Sequence, residues 1–219
     1  MILVLDLEVR PDYRYLGPEI DRLLPAETAY RVFVDDPTLP DVGAYDGIVL
    51  SGSTASVYDD EHAEWIEPAA ELVRRCRDEG VPLLGICFGH QLVHEALGGR
   101  VEADRRRATF VEMETVADDD ALAGVDSTVP VLHADLVVEP GEGLETTART
   151  AYSEHFCSRH ADAPIRTVQY HPEFTERVAD RPSDWEPGDR TFADSTARRT
   201  LENFARLCAG ERPVATTED

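Results

Sequence analysis

Residues 85–91 (GICFGHQ) decide the fold. They overlap the end of a continuous apolar run, 81–86, which is typical of a strand buried on both faces. Residues 88–97 then have helical spacing and are followed by two glycines that end a helix. Cys87 therefore lies between a buried strand and a helix, which is the context of a nucleophile elbow.

A cysteine at such a turn is a candidate nucleophile. Its side chain would project at the carboxyl ends of the strands, where open α/β sheets bind ligands, and the N-terminus of the helix would favour the thiolate. Gly85 and Gly89 permit the sharp turn, and the N–H of Phe88 is placed to stabilise an oxyanion. A buried structural cysteine ahead of a helix is the alternative that this segment leaves open.

The second motif is QYHPEF at 169–174, which overlaps the end of a predicted strand at 165–170, so that His171 follows the strand directly. A thiol nucleophile needs a general base, and the base needs a group that orients it. His171 and Glu173 can supply both functions, and Pro172 restricts the connector between them. Taken alone, the motif is also compatible with a His–Glu turn on the surface.

The remaining pattern alternates strands with helices in the first half of the chain. Strands are predicted at 2–5 and 46–50 and a helix at about 61–79, which favours an α/β fold with a mostly parallel central sheet flanked by helices. Further predicted elements are strands at 109–116 and 129–132 and a helix at 196–208. Residues 176–190 contain Pro, Gly and many charges, so we expect a surface loop.

Composition limits the classes of partner. The chain has 219 residues and a net charge of −23, from 44 acidic and 21 basic residues, and it contains no Lys. Such a surface repels phosphate backbones and anionic membranes, so we expect neither a nucleic-acid nor a membrane partner. The acid excess without Lys predicts a halophilic protein, since salt screens repulsion between carboxylates; a generic acidic protein is the alternative.

The cysteines predict an intracellular, metal-free protein. The four of them, Cys76, Cys87, Cys157 and Cys208, have neither close pairing nor metal-ligand spacing. The N-terminus lacks the features of an export signal, and no apolar run has the length of a membrane span. We therefore expect reduced thiols in the cytoplasm, with no metal and no cofactor.

The two motifs, GICFGHQL and QYHPEF, together resemble the class I glutamine amidotransferase family. Four shorter segments extend the resemblance toward the glutaminase half of GMP synthetases: LSGSTASVYD at 50–59 is similar to SGGPxSVYD, LGGRV at 97–101 to LGGxV, HADLV at 133–137 to HGDxV, and ENF at 202–204 to the closing xNF. The resemblance implies the flavodoxin-like fold of that family in a single domain, 1–210. We expect residues 211–219 to form a frayed tail.

The resemblance also implies a mechanism. Cys87 would attack the side-chain amide of L-glutamine, His171 would carry the proton to the departing ammonia, and Glu173 would orient His171. The resulting γ-glutamyl thioester would be hydrolysed by water. The family pattern further implies an oxyanion site formed by backbone N–H groups of Phe88 and the Gly52–Ser53 turn, and substrate-side roles for Gln91, His133 and Asp135.

The chain departs from the family at the oxyanion loop, where Gly-Gly-Pro is replaced by Gly52-Ser53-Thr54. This difference predicts a loop that is positioned differently or that needs a partner to organise it. An ammonia-accepting synthetase subunit is the partner that the resemblance implies. Two other readings stay open: a γ-glutamyl peptidase or hydrolase with the same triad, and an inactive binding protein on the same fold.

Overall fold

The computed structural model describes residues 1–211, which form one nine-stranded sheet in the order β2-β1-β3-β4-β9-β8-β7-β5-β6. The strands are β1 Ile2–Asp6, β2 Thr28–Val32, β3 Gly47–Leu50, β4 Leu83–Ile86, β5 Arg100–Thr115, β6 Thr128–Glu139, β7 Leu144–Thr150, β8 Cys157–His160 and β9 Ile165–Val168. The α-helices are α1 Leu16–Leu23, α2 Ala63–Glu79, α3 Phe88–Ala96 and α4 Arg199–Cys208.

One half of the sheet is parallel, and its inner strands β1, β3 and β4 are buried on both faces. Strands β2, β1, β3, β4 and β9 run parallel to one another, and every residue of β1, β3 and β4 is buried. Alternate side chains of these strands enter two separate hydrophobic clusters: α2 and α3 cover one face, with Leu72 and Leu92, and α1 and α4 cover the other, with Ile20 and Phe204. This is the helix-flanked α/β arrangement that the alternating sequence pattern predicts.

The other half is antiparallel, which corrects the expectation of a mostly parallel sheet. Strands β9, β8, β7, β5 and β6 pair with antiparallel neighbours, so the sheet has four parallel and four antiparallel pairings. No α-helix of the described chain lies between β5 and β9. Strands joined without a crossover helix pair in opposite directions, which is the physical reason for the difference.

The predicted elements are present with shifted ends, and two predicted short strands are parts of longer ones. The pieces at 109–116 and 129–132 belong to β5 and β6, which pair along their length with a register break between Ala103 and Arg107. Helix α4 begins at Arg199, three residues later than predicted. Helix α1 and strands β2, β7 and β8 were not predicted. In β2, Tyr30 is exposed and the other four residues are only partly buried, which weakens the apolar pattern of this strand.

Residues 176–190 contain one 3₁₀ turn, Glu176–Val178, and otherwise lack regular structure. They are not a freely solvated loop, because Trp185 packs against Phe110, Phe174 and Phe192 with ring centroids 5.1, 4.7 and 6.0 Å away. No helix within 1–211 is long and apolar enough to cross a membrane. The domain boundary at 210 stays a prediction, and residues 212–219 of the predicted tail lie outside the described residues.

Candidate active site

Cys87 occupies a strained turn at the carboxyl end of β4. Its backbone angles are φ 53° and ψ −103°, and it is the one non-glycine residue within 1–211 with a positive φ. A side chain in such a conformation costs about 1–3 kcal/mol, and the surrounding structure must hold it there. The Cys87 N–H donates to the carbonyl of Val168 at 2.8 Å, which attaches the turn to the neighbouring strand β9.

Two glycines make this turn possible. A Cβ on Gly85 would lie 2.5 Å from the carbonyl oxygen of Gly89, and a Cβ on Gly89 would lie 2.5 Å from the carbonyl oxygen of Leu50. Both distances are far inside van der Waals contact, so helix α3 can approach the sheet this closely only with glycine at both positions. The sequence-based interpretation of these glycines is in accord with this packing.

His171 and Glu173 form a buried hydrogen-bonded pair beyond the end of β9. His171 Nδ1 lies 2.7 Å from Glu173 Oε1, and the His171 N–H donates to the carbonyl of Pro130 at 2.9 Å. The other ring nitrogen, Nε2, is buried and has no hydrogen-bond partner in the described chain. The ring is therefore oriented on one side by Glu173 and is open on the other for proton transfer.

The charges around His171 favour its protonated form. Burial lowers the pKa of His171, but the neighbouring Cys87 and Glu173 raise it more strongly, to about 10. Across neutral pH this places an imidazolium next to a thiol, which is the arrangement that stabilises a thiolate nucleophile.

The loop after β3 closes over these residues from the other side. A Cβ on Gly52 would lie 2.9 Å from His171 Cε1 and 3.5 Å from the Cys87 Cβ, so glycine allows the loop to touch both. The N–H groups of Gly52, Ser53 and Phe88 have no hydrogen-bond acceptor among residues 1–211. Unpaired N–H groups beside a nucleophile are potential donors to a developing oxyanion.

Gln91 reaches the same cleft from helix α3. Its Nε2 donates to the carbonyl of Asp135 and to Gln169 Oε1, both at 3.1 Å. These bonds fix the amide of Gln91 between β6 and the end of β9.

The side chains of His133 and Asp135 are engaged in bracing the wall of the cleft. Asp135 accepts hydrogen bonds from the hydroxyls of Ser56 at 2.5 Å and Tyr58 at 3.0 Å, which tie the 50–59 segment to β6. His133 Nε2 lies 3.1 Å from the Tyr152 hydroxyl, and burial lowers the pKa of His133 to about 4. His133 is therefore neutral at pH 7, and a role for either side chain in substrate binding stays a prediction.

A cleft of about 490 Å³ brings most of the predicted residues together. Of the nine candidates, seven line it and two, Phe88 and Glu173, lie behind its surface; the lining seven are Cys87, His171, Gly52, Ser53, Gln91, His133 and Asp135. The cleft is also lined by residues that the sequence analysis did not select, among them Glu8, Tyr15, Arg106 and Asp184. Glu8 follows a buried strand, and that position was the one signal that could have identified it.

The 176–190 segment contributes the rim. Arg106 Nε pairs with Asp184 Oδ2 at 2.9 Å, which connects the bulged part of β5 to this segment at the mouth of the cleft. No group of three or more His, Cys, Asp or Glu side chains within 1–211 is arranged to hold a metal ion. His90 and His94 lie side by side in the core, with ring centroids 4.7 Å apart, and His90 Nδ1 lies 2.8 Å from Thr167 Oγ1.

An α/β sheet that carries a cysteine at a strand–helix turn beside a buried His–carboxylate pair defines the class of cysteine-nucleophile enzymes with an elbow. Within that class, the family described as "Glutamine amidotransferase class-I" matches residues 25–182. The chain belongs to this family, and the resemblance seen in the motifs is confirmed.

Curated relatives are similar over part of their length. The chain is 36% identical over 137 residues to a GMP synthase [glutamine-hydrolyzing] of Desulfotalea psychrophila, which covers 60% of this chain and 25% of the relative. It is 33% identical over 165 residues to the protein of the same name from Staphylococcus aureus, which covers 74% of this chain and 30% of the relative. The chain thus spans between a quarter and a third of these relatives.

Solved structures share the fold over nearly the whole chain. A glutamine amidotransferase from Thermotoga maritima superposes with a TM-score of 0.72 at 18% identity, covering 96% of this chain and 94% of that one. A glutamine amido transferase from Methylobacillus flagellatus gives 0.70 at 16% identity, covering 100% and 98%. These neighbours confirm the α/β fold class.

Proposed function

We propose that the chain hydrolyses L-glutamine to glutamate and ammonia through a Cys87 thioester. The observation that carries the proposal is the arrangement of Cys87 in a strained turn beside a His171–Glu173 pair held at 2.7 Å, with His171 Nε2 left unpaired. Structural cysteines and surface His–Glu turns do not require this combination of backbone strain and burial.

In the proposed reaction the Cys87 thiolate attacks the side-chain amide carbon of glutamine and forms the C–S bond. His171 then gives its proton to the amide nitrogen, which leaves as ammonia when the C–N bond breaks. A water molecule attacks the thioester, His171 takes its proton, and the C–S bond breaks to release glutamate. Glu173 keeps the ring oriented and stabilises its charged form in both steps.

Backbone N–H groups are proposed to stabilise the two oxyanion intermediates. The proposed donors are the N–H of Phe88 at the start of α3 and the N–H groups of the Gly52–Ser53 turn, because these groups have no acceptor within residues 1–211. One such donor typically contributes about 10²–10³ in rate, or about 3–4 kcal/mol. Gln91, His133 and Asp135 are proposed on the substrate side of the cleft.

We further propose that the ammonia is used by a separate synthetase, in the manner of a GMP-synthase-like glutaminase. This proposal is supported by sequence similarity to relatives named GMP synthase [glutamine-hydrolyzing]. The chain covers 25–30% of the length of these relatives. The alternative of a γ-glutamyl peptidase uses the same residues and differs only in the leaving group.

Labelling with a diazoketone analogue of glutamine tests the nucleophile. Burial raises the pKa of Cys76 and of Cys208 to about 12 and raises that of Cys157 as well, so these three thiols should be unreactive at neutral pH. We expect the label on Cys87 alone, identified by peptide mass spectrometry. Label on another cysteine with Cys87 unmodified would refute the assignment.

A substrate comparison then separates the two activities. Ammonia release from glutamine is measured beside cleavage of γ-glutamyl dipeptides, each with and without a GMP-synthetase ATP-pyrophosphatase subunit. Faster turnover of glutamine, raised by the subunit, supports the amidotransferase. Rapid dipeptide cleavage with glutamine untouched would replace it with the peptidase.

A further inference from the structure

The loop that lacks the family's proline is held by a carboxylate from another strand. Glu8 Oε2 accepts the Thr54 N–H at 2.8 Å, and Glu8 Oε1 accepts the Thr54 hydroxyl at 2.6 Å. Thr54 occupies the position at which the resembling motif has proline, and proline has neither of these donors. Two hydrogen bonds from Thr54 to Glu8 thus connect the loop to the segment after β1.

Glu8 is itself fixed and lies at the cleft. It follows β1, whose residue Leu5 pairs with Leu50 at the end of β3, so the segments after both strands emerge side by side. The Arg10 N–H donates to Glu8 Oε1 at 2.8 Å, and the Arg14 guanidinium donates to the Glu8 carbonyl at 2.8 Å. Because Glu8 is held in place by these bonds, its carboxylate can fix the position of the loop that it binds.

Burial of the Glu8 carboxylate lowers the stability of the fold. Glu8 is only 6% exposed and forms no ion pair with a cationic side chain of the described chain; burial raises its pKa, although hydrogen bonds from Thr54 and Arg10 oppose the shift. A buried carboxylate that is stabilised only by hydrogen bonds lowers stability relative to a well-packed apolar side chain. Such groups in clefts are frequently functional.

We propose that Glu8 is a positioning residue that sets the Gly52–Thr54 turn in its catalytic conformation and replaces the rigidity that proline supplies elsewhere. This inference rests on the proposed glutaminase, in which the same turn supplies an oxyanion donor. Glu8 acts through Thr54 and does not touch the reacting atoms.

The test is a mutant cycle at Glu8 and Thr54. Glu8→Gln keeps the size of the side chain but can accept only at one atom, so the turn loosens. We expect kcat for glutamine to fall by about 10–100-fold, with KM nearly unchanged. This is less than the fall of about 10²–10³-fold for a lost oxyanion donor, because the donor is displaced and not removed. Thr54→Val, which removes only the hydroxyl, should cause a smaller fall of the same kind.

Thr54→Pro provides the rescue arm. Proline removes both donors to Glu8 and restores an intrinsically rigid turn, so Glu8→Gln added to Thr54→Pro should cause no further fall in kcat. Asp36→Asn is the matched control, because Asp36 accepts the N–H and hydroxyl of Thr38 at 3.2 and 2.6 Å on an exposed surface outside the cleft. This variant should keep the kcat of the parent protein.

Several results would overturn the proposal. Unchanged kcat in Glu8→Gln removes the role, and a raised KM with kcat retained would mean that Glu8 binds the substrate ammonium directly. An equal fall in the Thr54→Pro background would mean that Glu8 acts through another group. If Glu8→Gln does not fold, Thr54→Val carries the kinetic test.

Amide hydrogen exchange distinguishes failure of the Glu8 proposal from failure of the glutaminase proposal. If the parent protein does not hydrolyse glutamine, the glutaminase proposal fails, but exchange at the Thr54 N–H, which donates to Glu8, still reports on the loop. Faster exchange in Glu8→Gln than in Asp36→Asn supports the tie between Glu8 and the loop. Equal exchange in the two variants would refute it.

Discussion

The parallel and antiparallel halves of the sheet contribute to the cleft in different ways. Parallel strands all end at the same edge, so the residues that follow β1, β3, β4 and β9 converge: Glu8, Gly52, Cys87 and His171. Antiparallel strands alternate in direction, and β6 reaches the cleft with residues from its middle, Leu132 to Asp135. The comparison indicates that the proposed reacting groups come from strand ends and that the antiparallel half forms a wall of the cleft.

The largest effect is expected at the end of β4, which carries the proposed nucleophile. Cys87→Ser should lower kcat for glutamine by about 10⁵-fold or more, because removal of a nucleophile disables a catalytic triad as a unit. The unfolding midpoint should stay close to that of the parent protein, since serine fits the same turn. The measurement is ammonia release, with thermal unfolding as the control. Retained turnover would show that the chemistry does not take place at the ends of the parallel strands.

A second large effect is expected at Glu173, which lies beyond the end of β9. Glu173→Gln should lower kcat by about 10²–10⁴-fold, since the ring of His171 loses its orienting charge. It should also lower the pKa of His171, which Cys87 and Glu173 together raise to about 10.

The pH dependence of the parent protein follows from the sign of that shift. A histidine whose pKa is raised by folding adds stability that is complete below the unfolded value of about 6.5 and is lost as the pH rises through about 10. We therefore expect turnover and unfolding midpoint to decline together on the alkaline side, and at lower pH in Glu173→Gln than in the parent protein. Identical alkaline profiles for the two proteins would contradict this.

A much smaller effect is expected in the antiparallel wall. His133 is neutral and lies 3.1 Å from the Tyr152 hydroxyl, so His133→Gln should cost about one hydrogen bond, near 1 kcal/mol, and less than about tenfold in kcat. The measurement is kcat for glutamine in His133→Gln and in Glu173→Gln under the same conditions. A loss as large as that of Glu173→Gln would show that the wall takes part in the chemistry.

The smallest effects concern the exposed faces of the two halves. With a net charge of −23, repulsion between carboxylates should fall as KCl is added, so the unfolding midpoint should rise toward molar salt. Strand β5 is largely exposed whereas β1, β3 and β4 are buried, so amides of the antiparallel half should gain the most protection in hydrogen exchange. A midpoint that is flat or falling with KCl would contradict the halophilic prediction.

Local sequence was enough to identify four of the five parallel strands, β1, β3, β4 and β9, and the residues at their ends. The apolar run before Cys87, the glycines around it and the QYHPEF motif each encode a short-range structure, because a buried strand and a tight turn depend on neighbouring residues. The alternation of strands with helices likewise predicted the helix-flanked sheet. These local features suffice to place Cys87 and His171 at strand ends.

Long-range contacts determine the remainder. The antiparallel pairing of β5 with β6, the Arg106–Asp184 pair at the rim and the packing of Trp185 against Phe110 join segments far apart in the chain. The contact of Glu8 with Thr54 is also long-range, because it depends on the pairing of β1 with β3. A carboxylate shows no local signal of the donors that it meets, because burial and hydrogen bonding between distant segments exist only in the folded chain.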